Sequence, residues 1–355
     1  VGEAILLADG AAELEVIEVA EDRLLCRVVN GGLVTTRKGV NLPQATLRVP
    51  AVTDKDLADL EVGLDAGVDL VALSFVRHEN DLQPVIERIA ALEQPPLVVA
   101  KIEKPQAVER IDPIIGAVDA VMVARGDLGV ELPPEKVPVI QKRIIDKARR
   151  AGRPVITATQ MLRSMVDSPR PLRAEASDVA NAVLDGTDAL MLSEETAIGR
   201  YPEHAVRMLD RIARETEPEL DHERLTATST RDPQIEVTDS VSLAACDLAA
   251  AVGAAAIVTT TSSGGTARII ARHRPSMPVL GVTTSDRVAR QLALSWGVIP
   301  TVVPSTTDRS LLQRALLREL TTHRLAEAGD LVVVVAGLPL GFSDTANVIQ
   351  VHRLE

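Results

Sequence analysis

The chain has 355 residues, enough for two or three domains at roughly 100 to 200 residues each. Its 38 Lys+Arg against 50 Asp+Glu give a net charge of −12, which argues against a general nucleic-acid binder or a polybasic membrane-surface protein but leaves room for a local cationic pocket. Apolar residues make up 46% and aromatics 1%, so the core is aliphatic and base stacking on aromatic platforms is disfavoured.

Cys26 and Cys246 lie far apart with no CxxC pair, so neither a disulfide framework nor a zinc site is expected. That usage fits a reducing cytosol. The longest apolar run, near Leu248 to Val258, falls short of the about 20 residues a bilayer demands. The chain opens on Val1, directly in strand-like sequence, and the expectation is that it starts within a longer gene product.

Residues 1–50 read as a small all-β module. Ala4–Leu7, Glu13–Ile17 and Leu24–Val29 are strand-like, punctuated by the turn signals Asp9-Gly10 and Asn30-Gly31-Gly32. From residue 51 the rhythm changes to short apolar runs separated by helical stretches. The runs are Asp69–Phe75, Pro96–Glu103, Ala120–Asp127, Pro154–Gln160 and Ala189–Glu194, with helices such as Glu135–Ala151 and Pro202–Glu215 between them. Apolar runs without alternation mark strands buried on both faces, and repeated strand-helix units mean a parallel sheet with right-handed crossovers. In each run the polar residues gather at the C-terminal end, the position of the active site in a (β/α)8 barrel.

Residues 218–236 read as a polar linker. The alternation then resumes over 237–355 as a second α/β domain. Its helices are expected at Ser240–Ala251, Thr266–Arg274, Asp286–Ala293 and Arg309–Glu327, and its strands at Ala255–Thr259, Val279–Val282, Ile299–Val303, Asp330–Ala336 and Val348–His352.

Lys101 and Glu103 stand two apart on one strand and point to the same face, a cation beside a carboxylate. Asp127 closes the next strand, after Gly126. Two carboxylates from neighbouring strands suit Mg2+, which takes one or two carboxylates plus substrate oxygens. The amides around Gly126 and Asp127 offer an anion nest, and Thr159 adds a hydroxyl from the following strand. The set suits phosphoryl transfer or enolate chemistry on a small acid. Read singly, Lys101–Glu103 is equally an ion pair and Asp127 a helix cap.

Six segments together resemble the pyruvate kinase family: Lys38-Gly39-Val40-Asn41-Leu42-Pro43, Ser74-Phe75-Val76-Arg77, Lys101-Ile102-Glu103, Met122 through Glu131, Ala158 through Met165, and Met191-Leu192-Ser193. Glu194 stands where the family usually has glycine. The matches run in order from residue 4 to 352. The resemblance implies a partial (β/α)8 TIM barrel, an inserted small β lid domain and a C-terminal α/β domain. It implies transfer of the phosphoryl group of phosphoenolpyruvate to ADP, giving pyruvate and ATP. Lys101 would then stabilise the transferring phosphoryl, and Glu103 and Asp127 would hold Mg2+ or Mn2+. The Gly126 and Asp127 amides would bind the substrate carboxylate. Thr159 would contact substrate near the carbon that is protonated, and Lys38 would lie near the nucleotide phosphates.

A complete barrel has eight strands and five are read here, so the first three are expected to be missing, with the segment that helps bind K+. The 355 residues alone are therefore expected to be weakly active or inactive. Thr261-Ser262-Ser263-Gly264-Gly265-Thr266 follows a strand and opens a helix, a Ser/Thr-capped loop or, by the resemblance, a site for a sugar-phosphate or nucleotide effector. Near the end, Asp344 and Ala346 replace a family glycine and threonine. The resemblance further implies a cytoplasmic homotetramer when complete. Two other readings compete: a metal-dependent pyruvate aldolase or lyase, and a catalytically silent phosphate-responsive remnant. The six histidines show no ligand spacing, and Trp296 and Cys246 read as packing residues.

Overall fold

The computed structural model describes the chain except residues 9, 37, 44–48, 223–236, 306–308, 338–345 and 355. The end of the expected linker, Asp9 of the first turn signal, and Asp344 lie outside the described residues. Among the described residues the strands form three sheets.

The N-terminal module is an antiparallel sheet of β1 (Ala4–Leu7), β2 (Ala12–Val19), β3 (Leu24–Asn30) and β4 (Val40–Asn41), in the order β3-β2-β1-β4. Leu6 of β1 sits opposite Asn41 of β4. At Gly32, past the end of β3, a side chain would be impossible. A Cβ there would stand 1.9 Å from the Ala11 carbonyl oxygen.

The second sheet is parallel, with β5 (Leu70–Leu73), β6 (Leu97–Ile102), β7 (Ala120–Ala124), β8 (Val155–Ala158) and β9 (Ala189–Met191) in sequential order. Sequential parallel order with helical crossovers is the barrel arrangement, here as a five-stranded segment. The connecting helices are α1 (Asp54–Asp65), α2 (Gln83–Ile89), α3 (Pro105–Glu109), α4 (Ile111–Ala117), α5 (Arg125–Glu131), α6 (Val137–Arg150), α7 (Arg173–Asp185), α8 (Glu194–Ala197) and α9 (Pro202–Thr216). Thr53 caps α1 and closes a capping box with Asp56. Every residue of β7 is buried, whereas those of β9, at the sheet edge, are half-buried.

The strand expected over Ala120–Asp127 stops at Ala124, and Arg125, Gly126 and Asp127 open α5 instead. Ala124 takes φ −88° and ψ 82°, which turns the chain out of the ladder, so Asp127 sits in a first helical turn rather than at a strand end.

The third sheet orders β12-β11-β10-β13-β14. Its strands are β10 (Ala256–Thr260), β11 (Val279–Thr283), β12 (Val298–Val302), β13 (Leu331–Ala336) and β14 (Val348–Arg353), the last pairing antiparallel to β13. Helices α10 (Val237–Val252), α11 (Gly265–Arg272), α12 (Asp286–Leu292) and α13 (Arg309–Thr322) accompany it. The last was expected to reach Glu327. It stops at Thr322 because Arg324 turns left-handed at φ +56° and the Leu325 amide folds back onto the Leu320 carbonyl.

This domain docks on the end of the parallel sheet where the strands begin. Arg290 of α12 grips the Asp69 carboxylate at 2.7 and 3.0 Å, just before β5. Gln291 donates to the Asp69 and Pro95 carbonyls. Arg274, 1% exposed, donates to Asp188 at 2.8 Å and to the Gly186 carbonyl at 2.7 Å, just before β9. The opposite end of the sheet, where the strands finish, is left to face the β-module.

Candidate active site

At the finishing end of β6, Lys101 and Glu103 meet as their spacing implies. Lys101 Nζ lies 2.6 Å from Glu103 Oε1 and donates to Ser74 Oγ at 2.8 Å. Glu103 is 1% exposed. Its second oxygen accepts the Phe75 N–H at 2.7 Å. Phe75 has φ +57°, a costly conformation for a bulky residue that is held where it orients a buried carboxylate. Burying an ionised carboxylate is tolerable only with such partners.

Gly126 and Thr159 also come together. The Gly126 N–H donates to Thr159 Oγ1 at 2.7 Å, and that hydroxyl donates to the Ala158 carbonyl at 2.6 Å. A Cβ on Gly126 would stand 3.3 Å from Thr159 Oγ1, so glycine permits this approach. Anion binding at the Gly126 amide therefore requires this bond to exchange. Thr159 and Gln160 both take positive φ, 70° and 53°.

Arg125 holds that turn in place. Its guanidinium donates to the Thr159 carbonyl at 2.8 Å and to Asp178 at 2.6 Å. The sequence alone does not mark Arg125 as a site residue. The available signal was a charged residue inside an otherwise apolar block.

Asp127 is half-buried and lines a cavity of about 770 Å3 between the β-module and the strand-end loops. Gly39, Asn41, Phe75, Arg77, Lys104 and Glu131 share that lining. Lys38 is exposed on the module and precedes Gly39 at the rim. Lys104 and Glu131 are a second pair missed by the sequence reading, 2.6 Å apart.

The donor set suits a hard divalent cation. Glu103 and Asp127 would supply carboxylate oxygens to it, though both Glu103 oxygens already have partners, Lys101 and the Phe75 amide, and Asp127, not Glu103, lines the cavity. Among the described residues no group of three or more His, Cys, Asp or Glu is gathered, so substrate oxygens and water would complete such a shell.

In the third sheet, the Thr261–Thr266 loop runs from β10 into α11. Gly264, at φ +86°, donates to Thr261 Oγ1 at 2.9 Å, and Gly265 donates to Ser263 Oγ at 3.3 Å. Thr261 and Thr266 are buried, while Ser262 and Ser263 are exposed. Arg268 reaches back to the Ser263 carbonyl at 3.1 Å. Trp296 packs under the Arg274 guanidinium, and Cys246 is buried, its thiol pushed up to about 12 by desolvation.

Sequential parallel strands with helical crossovers, finishing in a lysine–carboxylate pair and a hydroxyl turn that face a small β-module, define an α/β protein of the barrel class. The chain matches the family descriptions "Pyruvate kinase, barrel domain" over residues 1–206 and "Pyruvate kinase, alpha/beta domain" over residues 239–352. It belongs to the pyruvate kinase family. It is 43% identical to a pyruvate kinase of Sporosarcina psychrophila over 99% of this chain and 60% of that one. It is 42% identical to that of Clostridium acetobutylicum over 100% of this chain and 75% of the relative. A solved pyruvate kinase from Cryptosporidium parvum superposes with a TM-score of 0.93 at 37% identity, covering 100% of this chain and 72% of that one. The chain spans about 60% of the length of the first curated relatives it matches. Among the described residues no helix is long and apolar enough to cross a membrane.

Proposed function

We propose that the protein carrying these residues transfers the phosphoryl group of phosphoenolpyruvate to ADP. The P–O bond to the enol oxygen breaks, a bond to an ADP β-phosphate oxygen forms, and the enolate left behind takes a proton at carbon to give pyruvate. The observation that carries this reading is Lys101, whose ammonium stands 2.6 Å from a buried Glu103 and 2.8 Å from Ser74 at the finishing end of a barrel strand. Family membership supports it.

In this reading Lys101 offsets charge on the phosphoryl group and then on the enolate oxygen, a preorganised electrostatic role. Glu103 and Asp127 hold Mg2+ or Mn2+, which when bound neutralises phosphoryl and carboxylate charge and orients the two substrates. The Gly126 and Asp127 amides receive the substrate carboxylate. Thr159 borders the carbon that is protonated, on a turn fixed by Arg125. Lys38 approaches the nucleotide phosphates as the β-module closes and excludes water from the enolate. The family's K+ requirement, an effector phosphate at Thr261–Thr266, a homotetramer and a cytoplasmic location belong to the same reading.

The test is Mn2+ binding followed by electron paramagnetic resonance. Glu103→Gln should weaken it about tenfold or more by removing one anionic ligand. Unchanged Mn2+ affinity in Glu103→Gln would remove Glu103 from the metal site and the reading with it.

A further inference from the structure

The β-module contacts the barrel loops through a chain of groups that ends at the buried carboxylate. Asn41 of β4 donates from Nδ2 to Glu131 Oε1 at 3.0 Å. The same oxygen accepts from Lys104 Nζ at 2.6 Å. The Glu131 side chain is 3% exposed and that of Lys104 18%. Lys104 in turn lies over the Phe75 ring, 5.4 Å from its centroid. The Phe75 amide holds Glu103, and Glu103 holds Lys101.

These contacts are not interchangeable with ordinary surface pairs. A carboxylate this buried needs its cation, so Lys104 goes where Glu131 puts it. The part-buried Lys104 ammonium is attracted to the face of the Phe75 ring, which is itself 51% exposed, so this contact biases where Phe75 lies. The Phe75 backbone is strained at φ +57°, so it keeps that conformation only while its surroundings impose it. Release at one end of the series therefore reaches the other.

We propose that Asn41, Glu131 and Lys104 form a relay in which seating of the β-module on Glu131 sets, through Lys104 and Phe75, the placement of Glu103. Glu131 and Lys104 are positioning residues: they act through Phe75 and not on the reacting atoms. The relay gives lid closure a second consequence besides excluding water, because it completes the site only when the module is down. This inference rests on the functional reading above for its purpose, though the coupling itself is independent of turnover.

The experiment is amide hydrogen exchange at Phe75, at the far end of the relay, in the protein with Asn41→Ala, Lys104→Met and both. Asn41→Ala removes one hydrogen bond at a two-residue edge strand and leaves the barrel core untouched. The expected result is about three- to tenfold faster exchange at Phe75 in either single variant, on the scale of one hydrogen bond. The double variant should be no faster than Lys104→Met alone, because the two act in series. Lys104→Arg, which keeps the cation, should restore most of the protection. Unchanged Phe75 exchange in Asn41→Ala, or effects that multiply in the double variant, would overturn the relay. Intact coupling in a protein that transfers no phosphoryl group would instead cost the functional reading and spare the relay.

Discussion

Arg274→Met tests how the C-terminal domain is locked to the barrel segment. Arg274 is 1% exposed, and its partner Asp188 has a side chain 5% exposed. The guanidinium satisfies the carboxylate at 2.8 Å and two carbonyls, those of Ala271 and Gly186, at 2.7 Å each. Methionine fills much of the volume but leaves Asp188, among the described residues, with the Val155 and Trp296 amides, both at 3.0 Å. Breaking one side of a buried pair costs about 3–5 kcal/mol. Adding Asp188→Asn should return part of that loss, with a coupling of about 1–3 kcal/mol between the two sites. The assay is urea unfolding followed by fluorescence. Trp296, the one tryptophan of the chain, lies 5.5 Å from the Arg274 guanidinium and so reports this interface. A loss below about 1 kcal/mol, the range of an exposed pair, would refute the reasoning.

Further outcomes follow from other parts of the molecule. Arg125→Ala should lower kcat roughly a hundredfold and also lower the melting temperature, because the Thr159 turn loses its clamp and Asp178 its nearly buried guanidinium partner; a wild-type rate would refute this. Glu79 is held at about 2, below its ordinary 4.5, chiefly by hydrogen bonding to Arg110. A carboxylate depressed in the fold contributes stability above its unfolded value that is lost as pH falls from about 4.5 towards about 2, so Glu79→Gln should flatten that acid limb of a denaturation-versus-pH curve. Cys246 should resist thiol reagents at pH 8 until the chain unfolds, its thiol being pushed up to about 12, while the half-buried Cys26 reacts first; peptide mapping of the labelled native protein decides it.

The parallel sheet was legible because its strands are apolar without alternation, and Val98, Val99, Val121 and Val123 are indeed buried on both faces. Lys101 and Glu103 were legible because a separation of two is fixed by the pleat. The end of β7 was not. Polar residues after an apolar run look the same whether the chain stops or turns into a helix, and the backbone at Ala124 decides. The pairs Lys104–Glu131 and Arg125–Asp178 were out of reach for a different reason. Their members lie 27 and 53 residues apart and meet only because neighbouring strand-helix units pack side by side.

The most direct measurement is pyruvate formation from phosphoenolpyruvate and ADP, with Mg2+ and K+ supplied, by the protein that carries these residues. The account predicts that pyruvate appears only with ADP, with ATP in equal amount, and that Lys101→Met lowers the rate by about 10²–10³-fold without unfolding the barrel. Pyruvate released without ADP, or a rate indifferent to Lys101→Met, would contradict the account.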